Sequence, residues 1–354
     1  MNKKCLVAMS GGVDSSVAAL IVKQENYEAI GATMKLIGET VPVSREHACC
    51  SLDDIKNAQS ICQKLGMEHF VFDFSEHFCH RVVDKFVLSY EMGATPNPCI
   101  DCNRYLKFER LFSEAEKLGC EKIATGHYAR IEKCGDRYIL KKAIDETKDQ
   151  SYVLYSLSKE QLSRTLFPLG NMTKEQSRRI ASENDFINAD KRDSQDICFV
   201  KDEDYTDFIR RYTKKDYPDG DFVDMCGNVL GRHRGIISYT VGQRKGLGLS
   251  LRAPLYVREI NPDNNTVVLC PHEELFSKEL TATDINLTAV DDLYTPMRLK
   301  AKVRYRHKEQ DALVRQIDEN TLRVIFDEPQ RAITKGQAVV LYDGDTVIGG
   351  GTIK

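Results

Sequence analysis

The sequence predicts an α/β protein: a doubly wound, Rossmann-like parallel sheet at the N-terminus, then a small β-rich middle domain and a C-terminal β-barrel. Three observations predict it. Short apolar runs alternate with helical stretches as far as Thr125. A glycine-rich turn joins the first apolar run to the first helix. Beyond residue 205 helical periodicity fades, and β-rich runs separated by turn signals such as Asp219-Gly220 and Asp343-Gly344 take over.

The elements follow in order. Residues 4–9 (Lys-Cys-Leu-Val-Ala-Met) read as a buried strand, and residues 17–24 as a helix. A second strand is expected over 28–36. Asp53 to Leu65 is amphipathic and stops at Gly66, the pattern of a helix with a glycine end. His69 to Phe74 reads as a third strand, and Phe108 to Leu118 as a helix stopped by Gly119. Ile123 to Thr125 is a short strand running into Gly126-His127-Tyr128. Later strands are expected at 255–260, 266–270, 298–306, 322–327 and 338–342. The expected domains are 1–205, 206–276 and 277–354.

The bulk properties narrow the function classes. With 354 residues, 42% hydrophobic and 29% charged, the chain has the composition of a soluble globular protein. No run approaches the ~18 apolar residues of a membrane span. The N-terminal run is too short for an export signal, so a cytoplasmic protein with no membrane partner is expected. The 12 cysteines then read as reduced thiols, with Cys5, Cys62 and Cys120 as small core residues. A net charge of −3 argues against diffuse binding to nucleic acid but leaves room for a local basic stripe.

Ser10-Gly11-Gly12-Val13-Asp14-Ser15-Ser16 lies between strand and helix. Two glycines let backbone approach an anion, and the helix start offers free N–H groups to phosphate. Ser10, Ser15 and Ser16 can add hydroxyl donors, and Asp14 can bind Mg²⁺ or cap the helix. The Gly-Lys-Ser/Thr ending of a Walker loop is missing, and with it a phosphate lysine. A ligand-free turn is the alternative reading. The Ser-Gly-Gly-x-Asp-Ser pattern resembles the pyrophosphatase-loop family of ATP-using enzymes, which implies cleavage of ATP between its α and β phosphates.

Thr95-Pro96-Asn97-Pro98-Cys99-Ile100-Asp101-Cys102-Asn103-Arg104 is a proline-stiffened loop before a helix. Arg104, Lys107 and the helix start are expected to favour a thiolate at Cys102. Cys198 lies far along the chain in Asp193-Ser194-Gln195-Asp196-Ile197-Cys198-Phe199. Alone, each cysteine segment could be redox-active, metal-binding or inert. Together with Thr125-Gly126-His127-Tyr128, Lys148-Asp149-Gln150-Ser151-Tyr152, the run Gly242-Gln243-Arg244-Lys245-Gly246-Leu247-Gly248, Phe326-Asp327-Glu328-Pro329 and Gly336-Gln337, they span nearly the whole chain. In that order they resemble the bacterial tRNA-specific 2-thiouridylase family.

The resemblance implies a set of roles. ATP with Mg²⁺ would lie along Ala8, Met9, Ser10, Gly11, Gly12, Val13, Asp14 and Ser15, with Met34 and Gly126 on its adenosine side. Adenylation would activate the 2-oxygen of uridine 34, the wobble base of tRNAs for Lys, Glu and Gln. Cys198 would carry sulfur as a persulfide received from a sulfur-donating protein or cysteine desulfurase, with Cys102 as its catalytic partner, acting as nucleophile or by forming a disulfide with it. Asn97, Pro98 and Cys99 would face the target base. His127, Lys148, Asp149, Gln150, Arg304, Tyr305 and Gln337 would touch tRNA. Family members often carry an acidic residue where this chain has Cys99. Cys99, Cys102 and Cys198 could therefore hold a [4Fe–4S] cluster with one open iron; zinc lacks an obvious fourth ligand.

Residues 298–308 place Arg298, Lys300, Lys302, Arg304, Arg306 and Lys308 at one parity, which on a strand gives one basic face for phosphates. Arg232, His233, Arg234, Arg244 and Lys245 could extend it, and Lys191-Arg192 could serve near the active site. The alternative is a solvated face paired with acidic neighbours. His127 is expected at the mouth of the nucleotide crevice, where a flipped base could stack on it. Two rival functions are a small-molecule amidoligase, which needs the phosphate loop but neither Cys102, Cys198 nor the basic strand, and a non-catalytic tRNA-binding protein, which does not need the phosphate loop.

Overall fold

Buried apolar strands and glycine-permitted close approaches organise the chain. In the computed structural model the described residues are 3–38, 41, 52–191, 197–200, 204–250 and 253–354. The chain divides into two compact units. The first comprises Met1–Val82, Cys99–Glu203 and Asp345–Val347; the second comprises Val83–Pro98, Asp204–Gly344 and Ile348–Lys354. Residues 83–98, expected with the N-terminal domain, thus group with the second unit.

The first unit is built on β1 (Lys4–Ala8), β2 (Glu28–Lys35), β3 (His69–Asp73), β4 (Lys122–Ala124), the hairpin strands β5 (Arg130–Cys134) and β6 (Arg137–Lys141), and β7 (Thr165–Leu166). The parallel sheet has the order β3-β2-β1-β4-β7. The chain winds outward from β1 through β2 to β3 and then returns to β4 on the other side. β1 and β4 therefore flank the point where strand order reverses, and the crevice beyond their carboxyl ends is the ligand position in such sheets. β1 is almost wholly buried because both faces are covered, which explains its unbroken apolar run. Helices Val13–Gln24 and Leu52–Lys64 join the same core through Val17, Ala18, Val22, Ala58, Ile61 and Cys62. Cys5, Cys62 and Cys120 are buried thiols; burial raises all three, Cys62 to about 12, which keeps it protonated and inert.

One helix begins earlier than its pattern suggested. A helical turn at Pro98–Asp101 runs into a π-helical stretch, Cys102–Arg110, and then helix Leu111–Lys117. Cys102 therefore lies a turn inside the helical run and not at its start.

The second unit contains β8 (Gly220–Val223), β9 (Val229–His233), β10 (Tyr256–Asn261) and β11 (Thr266–Cys270) as a four-stranded sheet. Its core is Phe222, Tyr239, Val257, Val267 and Leu269. It also contains β12 (Phe276–Leu287), β13 (Met297–Lys302), β14 (Gln310–Asp318), β15 (Thr321–Arg331), β16 (Ala338–Asp343) and β17 (Thr346–Ile353). These pair in the order β12-β15-β14-β13-β16-β17, and β17 pairs back to β12, which closes the barrel. Leu280, Leu299, Ala301, Val314, Val324 and Leu341 fill it. Among the described residues no helix is long and apolar enough to cross a membrane.

A compensating pair tests the packing of β2. A Cβ on Gly31 would lie 2.4 Å from the Cys62 sulfur, and the next obstacle is His69 at 3.2 Å. Gly31→Ala is expected to cost about 1–3 kcal/mol of stability, most of it recovered in the Gly31→Ala/Cys62→Ala double variant relative to Cys62→Ala alone, as read from denaturant midpoints.

Candidate functional site

The phosphate loop is shaped by its glycines. Gly11 has φ +72° and lies so close to the Asp54 backbone that a Cβ would meet its carbonyl oxygen at 2.3 Å. Gly12 is the N-cap of helix Val13–Gln24 and supplies no side-chain cap, so the helix's first N–H groups have no side-chain acceptor there. The hydroxyls of Ser15 and Ser16 both donate to the Gly12 carbonyl at 3.0 Å, and both side chains are buried. They therefore brace the loop, and the expectation that they add donors for phosphate is corrected. Ser10 alone of the three is exposed. Asn188 and Lys191 bind the Gly11 carbonyl at 3.1 and 3.2 Å, and Lys191 also pairs with Asp54, so its ammonium braces the loop.

Asp14 is neither cap nor free carboxylate. Both its oxygens accept from Lys174 Nζ at 2.8 Å, and Oδ1 also accepts from the Tyr128 hydroxyl at 2.8 Å. Lys174 stands at the first position of helix Lys174–Glu183, whose start is fixed by a capping box between Thr173 and Gln176. It brings an ammonium to the side of the loop, paired with Asp14. The Thr-x-x-Gln capping signature before the helix was legible in the sequence, but its meeting with Asp14, 160 residues away, was not.

The segment after β4 touches the loop from the other side of the crevice. A Cβ on Gly126 would lie 2.7 Å from the Asp14 carbonyl carbon and 2.8 Å from the Ser15 nitrogen. His127 is only 7% exposed, with Phe108 and Phe167 ring centroids 6.0 and 5.9 Å from its own. Its Nε2 lies 3.3 Å from Lys107 Nζ and its Nδ1 2.6 Å from Thr125 Oγ1. An ammonium only donates, so Nε2 accepts and Nδ1 carries the proton to Thr125. Burial, and then the Lys107 charge, holds this histidine well below its usual range. A base stacked on this ring, the expected role, has no open face to use; the ring instead ties the crevice to the Cys102–Arg110 stretch.

The remaining predicted residues of this unit fall into place around that tie. The Tyr128 N–H donates to Gln150 Oε1 at 2.9 Å, and the Gln150 N–H returns a bond to the Tyr128 carbonyl at 2.8 Å. The Asp149 carboxylate accepts from the Ala143 N–H and from the Ser151 hydroxyl, at 2.9 and 2.7 Å. Both side chains shape the turn before helix Ser151–Leu154, while Lys148 is half-buried beside them. Asn103, next to Cys102, is 1% exposed; its Nδ2 donates to the Val153 carbonyl at 3.0 Å, while its Oδ1 finds no partner among the described residues. Ala8, Met9, Val13 and Met34 are buried under the crevice floor.

Cys99 is exposed, Cys102 buried and Cys198 half-buried. Phe199 anchors the Cys198 turn edge-on against Phe78, with centroids 5.6 Å apart. Residues 192–196 lie outside the described residues. Among the described residues no three or more Cys, His, Asp or Glu side chains gather as a metal ion requires. The cluster ligand set Cys99, Cys102 and Cys198 is therefore not assembled, and the Asp14 carboxylate is engaged by Lys174 and Tyr128. Of the cations near Cys102 in sequence, Lys107 meets His127, and the Arg104 guanidinium lies 5.4 Å from the Tyr105 ring centroid.

The basic stripe is corrected. β13 ends at Lys302, and residues 303–308 turn, so Arg304, Arg306 and Lys308 do not continue its face. On the strand, Arg298 pairs with Asp327 at 2.8 Å and Lys300 with Asp311 at 3.2 Å. The acidic-neighbour alternative holds there. The Arg304 guanidinium turns inward to the carbonyls of Val241 and Ala332, at 3.3 and 2.8 Å, and to Thr334. Tyr305 is 38% exposed. Within the same unit the Gln337 amide donates to the carbonyls of Thr95 and Pro96 at 2.8 and 3.2 Å. Asn97 is half-buried and Pro98 buried.

A parallel α/β sheet with a glycine loop and an uncapped helix start at its switch point defines a nucleotide-binding protein of the phosphate-loop α/β class. Profiles for a tRNA methyl transferase HUP domain, a tRNA methyl transferase PRC-barrel domain and an aminomethyltransferase β-barrel domain match residues 3–202, 206–271 and 277–353. Proteins named tRNA-specific 2-thiouridylase are similar over 100% of this chain: 49% identical in Clostridioides difficile, with 99% of that protein covered, 51% in Acetivibrio thermocellus, with 99% covered, and 47% in Clostridium botulinum, with 98% covered. The chain belongs to the tRNA-specific 2-thiouridylase family.

Two outcomes are expected from this geometry. Gly126→Ala forces a Cβ against the Asp14–Ser15 peptide, so ATP affinity measured by calorimetry should fall on the order of tenfold as the loop shifts. The His127 pKa is depressed in the fold, so the unfolded chain binds the extra proton first. Its contribution to stability is complete above about pH 6.5 and drains away as pH falls from there toward the folded value. Denaturation midpoints of His127→Gln should therefore fall less steeply with acidification than those of the wild type.

Proposed function

We propose that this chain is an ATP-dependent tRNA uridine 2-sulfurtransferase. The observation that carries the reading is the joining of the phosphate loop to the Cys102 helical stretch through Gly126, His127 and Lys107, in a chain whose full-length relatives are named tRNA-specific 2-thiouridylases.

ATP enters as its Mg²⁺ complex, with its phosphates over Ser10–Asp14. The first N–H groups of helix Val13–Gln24 receive phosphate oxygens, and Lys174 leaves Asp14 to meet the polyphosphate charge. The uridine 2-oxygen attacks the α-phosphorus, pyrophosphate departs, and the base becomes an adenylated electrophile at C2. The terminal sulfur of a Cys198 persulfide then goes to C2. The Cys102 thiolate attacks Cys198 Sγ, the S–S bond of the persulfide breaks, and its electron pair follows the transferred sulfur. AMP leaves with the former 2-oxygen, and a thiol reductant restores the Cys102–Cys198 disulfide to two thiols. The persulfide route is preferred to a cluster because the three thiols are not gathered as ligands among the described residues. The substrate set of wobble uridines in tRNAs for Lys, Glu and Gln, the supply of sulfur by a cysteine desulfurase or its carrier, and a cytoplasmic location belong to the same reading. The residues placed toward the base are Asn97, Pro98 and Cys99.

Nucleoside mass spectrometry on unmodified tRNA incubated with enzyme, Mg-ATP and a persulfide donor tests it. 2-Thiouridine should form with the wild type and vanish in Cys102→Ser and Cys198→Ser. Wild-type protein that forms none under anaerobic conditions would sink the proposal and leave the amidoligase reading. Lys174→Met should weaken ATP binding on the order of tenfold to a hundredfold, the worth of a charge-assisted contact, and slow tRNA-stimulated release of pyrophosphate.

A further inference from the structure

The Thr95-Pro96-Asn97-Pro98 segment cannot hold its own shape by backbone hydrogen bonds alone. Two of its residues lack an N–H, so its carbonyls depend on donors brought from elsewhere. The turn between β15 and β16 supplies them. Gln337 Nε2 donates to both the Thr95 and the Pro96 carbonyls, and the Thr95 N–H donates to the Lys335 carbonyl at 2.8 Å. Between these two residues Gly336, at φ +90°, lies so close that a Cβ would stand 3.1 Å from Ala94 Cβ and from the Thr95 backbone.

The turn is itself anchored. The Gly336 N–H donates to the Ile353 carbonyl at 2.9 Å, and the Ile353 N–H to the Gln337 carbonyl at 2.7 Å, which ties both residues to β17. Below the loop, Gly93 at φ +67° packs against Ile260, where a Cβ would meet the carbonyl oxygen at 2.7 Å. The chain entering the loop is thus gripped on two sides within one unit, one residue before Asn97.

We propose that Gln337 is a positioning residue for the base-reading loop: its amide, with Lys335 and Gly336, clamps Thr95–Pro96 so that Asn97–Cys99 are held in place before tRNA arrives. This rests on the reading that Asn97–Cys99 meet the uridine. It assigns Gln337 to loop geometry in place of the RNA contact the resemblance implies. An RNA group that took the Gln337 amide would leave two loop carbonyls without their donor.

Gln337→Met keeps the side-chain length and removes the donor; Gln337→Glu keeps the shape and turns an acceptor toward two carbonyls. Both variants are compared with the wild type for tRNA affinity, for 2-thiouridine formation at saturating tRNA, and for amide hydrogen exchange. The expected result is a saturating rate lower by about tenfold or more, with Glu worse than Met, and tRNA affinity within about threefold. Exchange should quicken across residues 93–99 and stay unchanged across helix Val13–Gln24. A saturating rate that falls by less than about tenfold overturns the proposal, whatever the affinity does. A measurement free of any variant stands beside it. In the wild type without tRNA, the Asn97 and Cys99 amides should exchange more slowly than in an unstructured peptide; exchange at the peptide rate overturns the clamp. Loss of the function itself would show separately, as a wild type that forms no 2-thiouridine while these amides remain protected.

Discussion

The close approach of Gly126 to the Asp14–Ser15 peptide is the constraint on which the catalytic unit depends. Two backbone segments, one leaving β1 and one leaving β4, can meet at that distance only where no side chain stands between them. Their meeting sets the width of the crevice at the strand-order reversal. It also places Tyr128 where its hydroxyl reaches Asp14, and His127 where it reaches the helical stretch that begins at Cys102. The glycine loop and the Cys102–Arg110 stretch are thereby joined by short contacts.

Charge in this framework is arranged in pairs. Lys174 and Asp14 neutralise each other beside a helix start whose N–H groups have no side-chain cap. A buried or half-buried ion pair is costly to break without a replacement partner. The Tyr128 hydroxyl adds a second donor to the same carboxylate. His127 stays neutral because the burial that makes it a good spacer also disfavours its charge, and Lys107 adds to that bias.

In the second unit the same economy appears in a different form. Of the basic residues that looked like a phosphate stripe, Arg298 and Lys300 pair with Asp327 and Asp311, and Arg304 turns to inward carbonyls. The turn between β15 and β16 grips the proline loop at Thr95 and Pro96.

The sequence by itself determined the fold class and the glycine loop between β1 and its helix, because each rests on local pattern. A strand–glycine–helix junction, prolines before a cysteine and the alternation of apolar runs are properties of neighbours in the chain. It misjudged β13, since parity alone cannot reveal a strand's end at Lys302 or the acidic partners on β14 and β15. It placed the start of the Cys102 helix too late, because Pro98 is well suited to a first helical turn and carries no apolar period. Only the tertiary structure decided the partners. Lys174 on Asp14, Lys107 on His127 and Gln337 on Thr95 are separated along the chain by 160, 20 and 242 residues. A long polar side chain carries no mark of its partner in a single sequence; folding chooses among the buried groups within its reach.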